Sequence, residues 1–323
     1  MYINIIKNNY FKISIVVVLS LLIDNFFISN ISNPPAWDQG YHLSNVFKMF
    51  NILENSNLSI SDKINDLLNI TDSYRGPITY IFSAFFLKIF KNNYYFSYLS
   101  NQIFNLICII SIFKICNFFK KKSIGIWGCV IFTFSSLILQ QRSDYLIDLS
   151  LTSFSTLNLL FFTNWYFDNS KGYKYSILSG ISLALVFLTK PTGILLFLIP
   201  FLFIVLKKYK DNKSLWSNFK ELFLFIIFFT VIIFPWFSRH WITIFSTTIN
   251  AWNWGNAYQD GFEIKSIESW FFYFKELPSV FGIINFSIFS LVIILENIFR
   301  KNLINKKINN FKKINFWFLL YFL

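Results

Sequence analysis

Long apolar runs that end at clusters of lysine dominate this sequence. A helix needs about 20 apolar residues to cross the hydrocarbon core of a bilayer, and several of the runs reach that length. Only 14% of the residues are charged, whereas a soluble domain carries roughly a quarter. The pattern predicts an all-α integral membrane protein and excludes a soluble domain.

The net charge of +13 does not point to nucleic acid as a partner. The Lys and Arg residues are clustered at the ends of the apolar runs, where the preference of basic residues for the cytoplasmic side places them. A nucleic-acid-binding protein would carry them along one solvated face instead. We therefore predict no nucleic-acid partner.

A consistent topology follows if every large basic cluster lies in the cytoplasm. Residues 77–90 are too few to cross the membrane, so we predict that they form an interfacial or re-entrant segment. The charge pattern agrees, because a full crossing by this segment would put Lys120, Lys121 and Lys122 outside. The first apolar run lacks a small-residue cleavage site, so we expect it to remain as a helix. The predicted spans are residues 13–29, 94–119, 123–140, 145–167, 175–188, 193–206, 222–237 and 280–298.

The connections between these spans differ in length and content. Those on the external side are residues 30–91, 141–148, 189–192 and 238–278. The first contains two amphipathic runs, residues 43–53 and 60–70, that we expect to lie flat at the interface. The last carries four tryptophans, for which interfacial anchoring and sugar stacking are both open interpretations.

The last apolar run, residues 314–323, is too short to span a membrane. We expect residues 1–323 to form a single transmembrane domain that is truncated at its C-terminus. No internal repeat indicates a transporter built from two halves.

The external stretches contain both carboxylates and cations, and ionisable residues near membrane depth are commonly functional. This combination fits glycosyl transfer from a sugar linked to a lipid phosphate. Asp38 is the candidate base for the acceptor hydroxyl. Arg75 and Lys190 are the candidates for holding the charge that develops on the leaving phosphate. The candidates for orienting the acceptor or the sugar are Asp148, Asp144, Arg142 and His42.

Less specific interpretations stay open for the carboxylates and for the lysine. Asp38 could cap the helix that follows it, and Lys190 could extend to the membrane surface as an interfacial lysine. Asp144 and Asp148 are spaced i, i+4 and are predicted to share one helical face. There they could be solvated or paired with a neighbouring cation.

Three further polar residues have simple structural interpretations. His42 could be a histidine whose hydrogen bonds are satisfied within the fold. The turn that carries Arg142 could be solvated. Asp24 is expected to face the interior of the bundle, and we assign it no chemical role.

Five short motifs resemble those of GT-C glycosyltransferases of the protein O-mannosyltransferase and aminoarabinose-transferase type. In chain order they are Trp37-Asp38-Gln39-Gly40-Tyr41, Tyr74-Arg75-Gly76-Pro77, residues 142–148, residues 180–193 with Leu188-Thr189-Lys190, and Pro235-Trp236 at the end of a helix. This sequence has Gln39 where the family usually has Glu. It has Arg75 where the family usually has Lys, and one proline fewer after it.

The resemblance implies a GT-C-like multi-helix transmembrane bundle with amphipathic helices in the first external loop. It implies inverting transfer from a polyprenyl-phosphate sugar to a glycan, lipid or protein acceptor, on the external face of a bacterial inner or plasma membrane. It identifies Asp38 with the catalytic base and favours Asp148 over Asp144. Members with monophosphate donors generally do not depend on a metal, so the resemblance implies neither a metal nor another cofactor.

Two other functions remain open from the sequence. A flippase or other transporter of lipid-linked sugars would carry charges within its helices along a continuous path, whereas most charges here lie in external loops. A lipid-linked-glycan ligase or polymerase would use Arg and His residues in a large loop, and Arg239 and His240 fit that pattern.

Overall fold

The computed structural model describes residues 9–30, 37–70, 75–90, 98–210, 215–257, 266–287 and 290–291. Within these ranges the chain is helical almost throughout and contains no strand, which confirms the predicted all-α class. The helices are α1 (Asn9–Ser29), α2 (Trp37–Glu54), α3 (Ile60–Asn69), α4 (Ile78–Ile89), α5 (Leu99–Phe118), α6 (Lys122–Phe134), α7 (Ser136–Ser143), α8 (Asp148–Phe167), α9 (Gly172–Thr189), α10 (Leu198–Lys210), α11 (Leu215–Ala257) and α12 (Ile267–Phe281). Short 3-10 helices lie at Asn169–Lys171 and Pro191–Phe197.

Among the described residues, five helices are long and apolar enough to cross a membrane. They are α1, α5, α9, the stretch Pro191–Lys210 that includes α10, and Asn218–Asn250 within α11. Helices α6 and α7 would make a sixth span, but they are bent by 55° where they meet. The predicted integral membrane character is confirmed. Helix α4 has only 12 residues, in agreement with the prediction that this segment does not cross.

Helix α8 lies at the centre of the bundle, packed against α5 and α9. Its 20 residues would extend about 30 Å, and it carries buried polar side chains, among them Ser150, Ser153 and Asn158. Because its neighbours shield it from lipid, this helix tolerates polar residues that a lipid-facing helix would not. The predicted span began at residue 145, but the helix begins at Asp148.

Helices α2 and α4 pack against each other. The buried side chains of α2 include Leu43, Val46 and Met49, which repeat at helical spacing along one face. They share a core with Tyr80, which is fully buried on α4. The predicted amphipathic runs at residues 43–53 and 60–70 are therefore helical, within α2 and α3.

Residues 238–278 were predicted to be a loop, and this is wrong for most of their length because they are helical. Helix α11 runs through Pro235 without a break and continues to Ala257, and α12 covers Ile267–Phe281. Proline usually ends or kinks a helix because it removes a hydrogen bond. Here the helix continues because two side chains after Pro235 are buried against neighbouring helices. They are Trp236, the next residue, and Ile244, about two helical turns later.

Candidate functional site

A tight contact brings the loop before α4 against the end of α9. The Gly76 backbone N–H donates to the carbonyl oxygen of Thr189 at 3.2 Å. A Cβ atom at Gly76 would lie 1.9 Å from the carbonyl oxygen of Leu188, so only glycine allows this approach. The contact brings together Arg75, which directly precedes Gly76, and Lys190, which directly follows Thr189, at one end of the bundle.

The guanidinium of Arg75 lies among three groups of α2. Its Nη2 is 3.6 Å from Oδ1 of Asp38, and its Nη1 is 3.5 Å from Nε2 of His42. Its Cζ lies 5.6 Å from the centre of the Tyr41 ring, which is a favourable distance for a cation over an aromatic face. The side chain of Arg75 is mostly buried, at 17% exposure, whereas that of Asp38 is 67% exposed.

A second ion pair joins the start of α8 to the end of α9. Nζ of Lys190 lies 3.8 Å from Oδ1 of Asp148, and both side chains are partly exposed. Asp148 is the first residue of α8, where the positive end of the helix dipole favours a carboxylate. The hydrogen bond of 2.6 Å between the hydroxyl groups of Thr79 and Ser150 ties α4 to the same end of α8.

His42 lies between the two ion pairs. Its side chain is buried, and Nδ1 is 2.7 Å from the hydroxyl oxygen of Tyr80. Burial is the main cause that lowers the pKa of His42 to about 4, and the positive charge of Arg75 adds to it. Asp38 and Asp148 oppose this shift and Lys190 contributes to it, so all four charges act on the imidazole. We refer to Asp38, His42, Arg75, Asp148 and Lys190 as the charged cluster.

Asp144 is a predicted site residue that the structure separates from Asp148. The two carboxylates do not share a helical face, because α7 ends at Ser143 and Asp144 has an extended backbone. The prediction of a common face was therefore wrong. Buried Tyr145 and Ile147 fix the chain between the two helices. Asp144 is not among the charges that shift the pKa of His42.

Arg142 is fully buried, so the predicted solvated turn at this position is wrong. Its Nε donates to Oδ1 of Asp24 at 3.0 Å, and its Nη1 donates to the carbonyl oxygen of Thr133 at 2.7 Å. Asp24 faces the interior of the bundle, as predicted, and this pair joins α1 to α7. The structure does not bring Arg142 to the charged cluster.

Arg239 and His240 also lie apart from the charged cluster, where they hold α3 against α11. Arg239 donates to the side-chain oxygens of Asn65 and Asn69 at 2.8 and 3.1 Å. The Nε2 atom of His240 is 2.8 Å from the carbonyl oxygen of Leu68. These contacts give both residues a packing role, and the ligase or polymerase interpretation loses the residues on which it depended.

Tyr41 and Tyr80 are the residues of this region that sequence reasoning missed. Tyrosines are frequent in this chain, so no local pattern distinguishes these two. A usable signal was the position of Tyr41 between Asp38 and His42 on a predicted helix. Nothing in the sequence indicated that α4 would carry Tyr80 to the far side of His42.

The charged cluster carries two carboxylates and two cations, and such a set can neutralise and orient a bound anion. Within the described ranges, no group of three or more His, Cys, Asp or Glu side chains is arranged to hold a metal ion. The chemistry available to these residues is proton transfer at a carboxylate and charge stabilisation by Arg and Lys.

Comparisons with known proteins agree with this description. The family model described as dolichyl-phosphate-mannose-protein mannosyltransferase matches residues 74–238, just over half of the chain. The structure resembles the crystal structure of ArnT from Cupriavidus metallidurans in the apo state, with a TM-score of 0.57 and 14% sequence identity. The alignment covers 83% of this chain and 48% of that chain, so this chain spans about half the length of ArnT. No curated protein gives a match in sequence.

At 14% identity the similarity to ArnT concerns the fold, and this fold is the GT-C membrane fold that the sequence motifs suggested. The family match covers three members of the charged cluster, Arg75, Asp148 and Lys190. Asp38 and His42 precede the matched region and join it through the contacts of Arg75. The chain therefore belongs to the dolichyl-phosphate-mannose-protein mannosyltransferase family and has the GT-C membrane fold.

Proposed function

We propose that this protein is a membrane glycosyltransferase that moves a sugar from a polyprenyl-phosphate donor to an external acceptor, with inversion at the sugar carbon. The acceptor is a glycan, a lipid or a protein. The observation that carries this proposal is the pair of cation–carboxylate contacts, Arg75 with Asp38 and Lys190 with Asp148, at one end of the bundle.

Arg75 and Lys190 supply the positive charge that a leaving phosphate requires. As the bond between the sugar and the phosphate breaks, negative charge concentrates on the phosphate oxygens, and nearby cations stabilise it. The two ion pairs measure 3.6 and 3.8 Å, longer than the 2.7–2.9 Å of a charge-assisted hydrogen bond. The carboxylates therefore balance the charge of the cations over distances longer than a direct hydrogen bond, and a phosphate can compete for both cations.

Asp38 is the proposed base. The acceptor hydroxyl oxygen attacks the anomeric carbon, its proton passes to the carboxylate of Asp38, and the electron pair of the breaking bond goes to the phosphate oxygen. Attack opposite the leaving phosphate inverts the configuration. The carboxylate of Asp38 is largely exposed, so an acceptor can reach it. Asp148 is proposed to orient the acceptor or to stabilise positive charge on the sugar ring.

We also propose that the charged cluster faces the external side of the membrane. Helix α9 begins beside Lys171 and Lys174 and ends beside Lys190. The next apolar stretch starts at Pro191 and ends at Lys207, Lys208 and Lys210. The basic clusters therefore lie at the end of the bundle opposite the charged cluster. The preference of basic residues for the cytoplasm then supports an external site.

Cysteine labelling in intact cells tests this orientation. Ser56 lies in the exposed connection between α2 and α3, which is part of the stretch predicted to be external, and Lys174 is exposed near the start of α9, at the opposite end of that helix from Lys190. We expect a membrane-impermeant thiol reagent to label Ser56→Cys in intact cells, and to label Lys174→Cys only after the cells are opened. Labelling of Lys174→Cys alone in intact cells would reverse the orientation.

Substitution of the two cations tests the phosphate site. We expect Arg75→Ala and Lys190→Ala each to weaken donor use by roughly 10- to 100-fold, because each removes charged hydrogen bonds to the phosphate. Arg75→Lys should have a smaller effect, since it keeps the charge but loses the planar fork. The measurement is the initial rate of transfer as a function of donor concentration.

Lys88→Ala is the matched control for these variants. Lys88 forms an ion pair of 3.7 Å with Glu54 between α4 and α2, the same elements that border Arg75, but it lies outside the charged cluster. Its loss should leave the donor dependence unchanged. If Arg75→Ala and Lys190→Ala match Lys88→Ala in donor dependence, then the phosphate site lies elsewhere.

A further inference from the structure

His42 has hydrogen-bonding partners on both sides of its ring, and their chemistry determines which nitrogen carries the proton. Nε2 faces Nη1 of Arg75 at 3.5 Å, and a guanidinium has only donors to offer. Nε2 must therefore accept, which leaves the proton of the neutral ring on Nδ1. Nδ1 then donates to the hydroxyl oxygen of Tyr80, 2.7 Å away.

Tyr80 holds the imidazole of His42 in a fixed position. Its side chain is fully buried on α4, and its ring stacks on the imidazole with centroids 5.7 Å apart and planes at 28°. The imidazole itself is buried and cannot rotate without losing both contacts. The guanidinium of Arg75 is thus held by the Tyr41 ring on one side and by a fixed nitrogen lone pair on the other.

A neutral acceptor positions an arginine without reducing its charge. Asp38 already places one carboxylate 3.6 Å from this guanidinium. A second carboxylate in the place of His42 would orient the guanidinium equally well, but it would cancel more of the charge that a phosphate needs. We propose that His42, as the neutral ring protonated on Nδ1, is a positioning residue that fixes the guanidinium of Arg75 toward the donor phosphate. This inference rests on the proposed function, and it replaces the acceptor- or sugar-orienting role predicted for His42 from the sequence.

Protonation of His42 would remove this support. The protonated ring has no lone pair for Arg75 and adds a positive charge beside Arg75 and Lys190. Burial and these two cations disfavour protonation, while Asp38 and Asp148 favour it, and the resulting pKa of about 4 keeps the ring neutral at pH 7. The phenol rings of Tyr41 and Tyr80 also face the imidazole. The support is therefore present at neutral pH and is lost only as the pH falls through about 4.

Binding of undecaprenyl phosphate to the purified full chain in detergent tests the inference without a known acceptor. We expect His42→Phe, which keeps an aromatic ring but has no acceptor, to weaken binding roughly tenfold or more. His42→Gln, whose amide oxygen can reach the position of Nε2, should recover most of the binding. In an Arg75→Ala background, His42→Phe should have little further effect, because both changes remove the same interaction.

The outcomes separate this inference from the proposed function. If wild type does not bind undecaprenyl phosphate, or Arg75→Ala binds as wild type does, the proposed phosphate site fails. Two other outcomes would overturn only the positioning role of His42. In the first, Arg75→Ala weakens binding but His42→Phe and His42→Gln bind equally well. In the second, His42→Phe has its full effect in the Arg75→Ala background.

A pH series serves if His42→Phe does not fold. Acid protonates the phosphate of the lipid and the imidazole of His240 equally for wild type and for His42→Gln, but it protonates an imidazole at position 42 only in wild type. We therefore expect wild type to lose binding more steeply than His42→Gln as the pH is lowered from about 6 through 4 to about 3. Parallel curves for the two proteins would overturn the proposal.

Discussion

Replacement of Asp38 by Asn should reduce the rate of sugar transfer by roughly 10²–10⁴-fold, the range of a general-base contribution. The amide has almost the shape of the carboxylate but cannot take the proton of the acceptor hydroxyl. Binding of undecaprenyl phosphate should persist or become tighter, because the change removes a negative charge 3.6 Å from the guanidinium of Arg75. The opposite effects on transfer and on lipid binding distinguish a base from a residue that binds the donor.

Glu54→Gln provides a matched control on the same helix. Glu54 lies at the end of α2, is exposed, as Asp38 is, and pairs with Lys88 at 3.7 Å. It lies outside the charged cluster, so its neutralisation should leave transfer close to wild type. Transfer rates of Asp38→Asn and Glu54→Gln are compared at saturating donor. Near-normal turnover by Asp38→Asn would exclude Asp38 as the base.

The parts of the fold that could be predicted from sequence are those that local pattern determines. Helix α9 occupies Gly172–Thr189, close to the predicted 175–188, because lysines and then Lys190-Pro191 interrupt the apolar run at its two ends. The short α4 was recognised because its length is incompatible with a bilayer crossing. Length and polarity are properties of one segment, so a sequence displays them directly.

The errors arose where distant segments override the local signal. Pro235 indicated a helix end, but α11 continues because Trp236 packs into a core formed with α9. The i, i+4 spacing of Asp144 and Asp148 suggested one helical face, yet the chain between them is extended at Asp144. Propensity is a weak guide when tertiary contacts of this kind are available.

For the charged cluster too, the sequence indicates the candidate residues but not the contacts that bring them together. The residue types and their order predicted Asp38, Arg75, Asp148 and Lys190 as candidates, because an anionic lipid substrate calls for cations beside carboxylates. Their assembly depends on the approach of Gly76 to the end of α9, which joins segments far apart in sequence. The sequence marks Gly76 only as part of a motif and does not indicate what lies against it.

The second large effect concerns the buried pair of Asp24 and Arg142. Both side chains are almost completely shielded, at 5% and 0% exposure. Arg142→Ala should destabilise the protein by about 3–5 kcal/mol, because it leaves the carboxylate of Asp24 buried without a partner. Thermal unfolding of the purified protein in detergent measures this effect, and a low yield of monodisperse protein would be its expected consequence.

A double substitution separates the contribution of the ion pair to stability from the cost of leaving one buried charge without a partner. Asp24→Leu with Arg142→Met replaces both groups by apolar side chains, and such exchanges are often neutral or stabilising. The double variant should therefore be more stable than Arg142→Ala by several kcal/mol. Lys88→Ala serves as the control for loss of a cation whose ion pair, with Glu54, is exposed, and it should change stability by about 1 kcal/mol or less.

The position of the pair explains why its effect should reach the charged cluster. The side chain of Asn101 on α5 donates to the carbonyl oxygen of Arg142 at 3.2 Å, and Arg142 itself holds α1 and the end of α6. Arg142 thus joins four helices a few residues before α8 begins at Asp148. If Arg142→Ala unfolds at the wild-type temperature, the pair is not the anchor described here. If the double variant regains stability but not transfer, the ion pair must also set the position of Asp148.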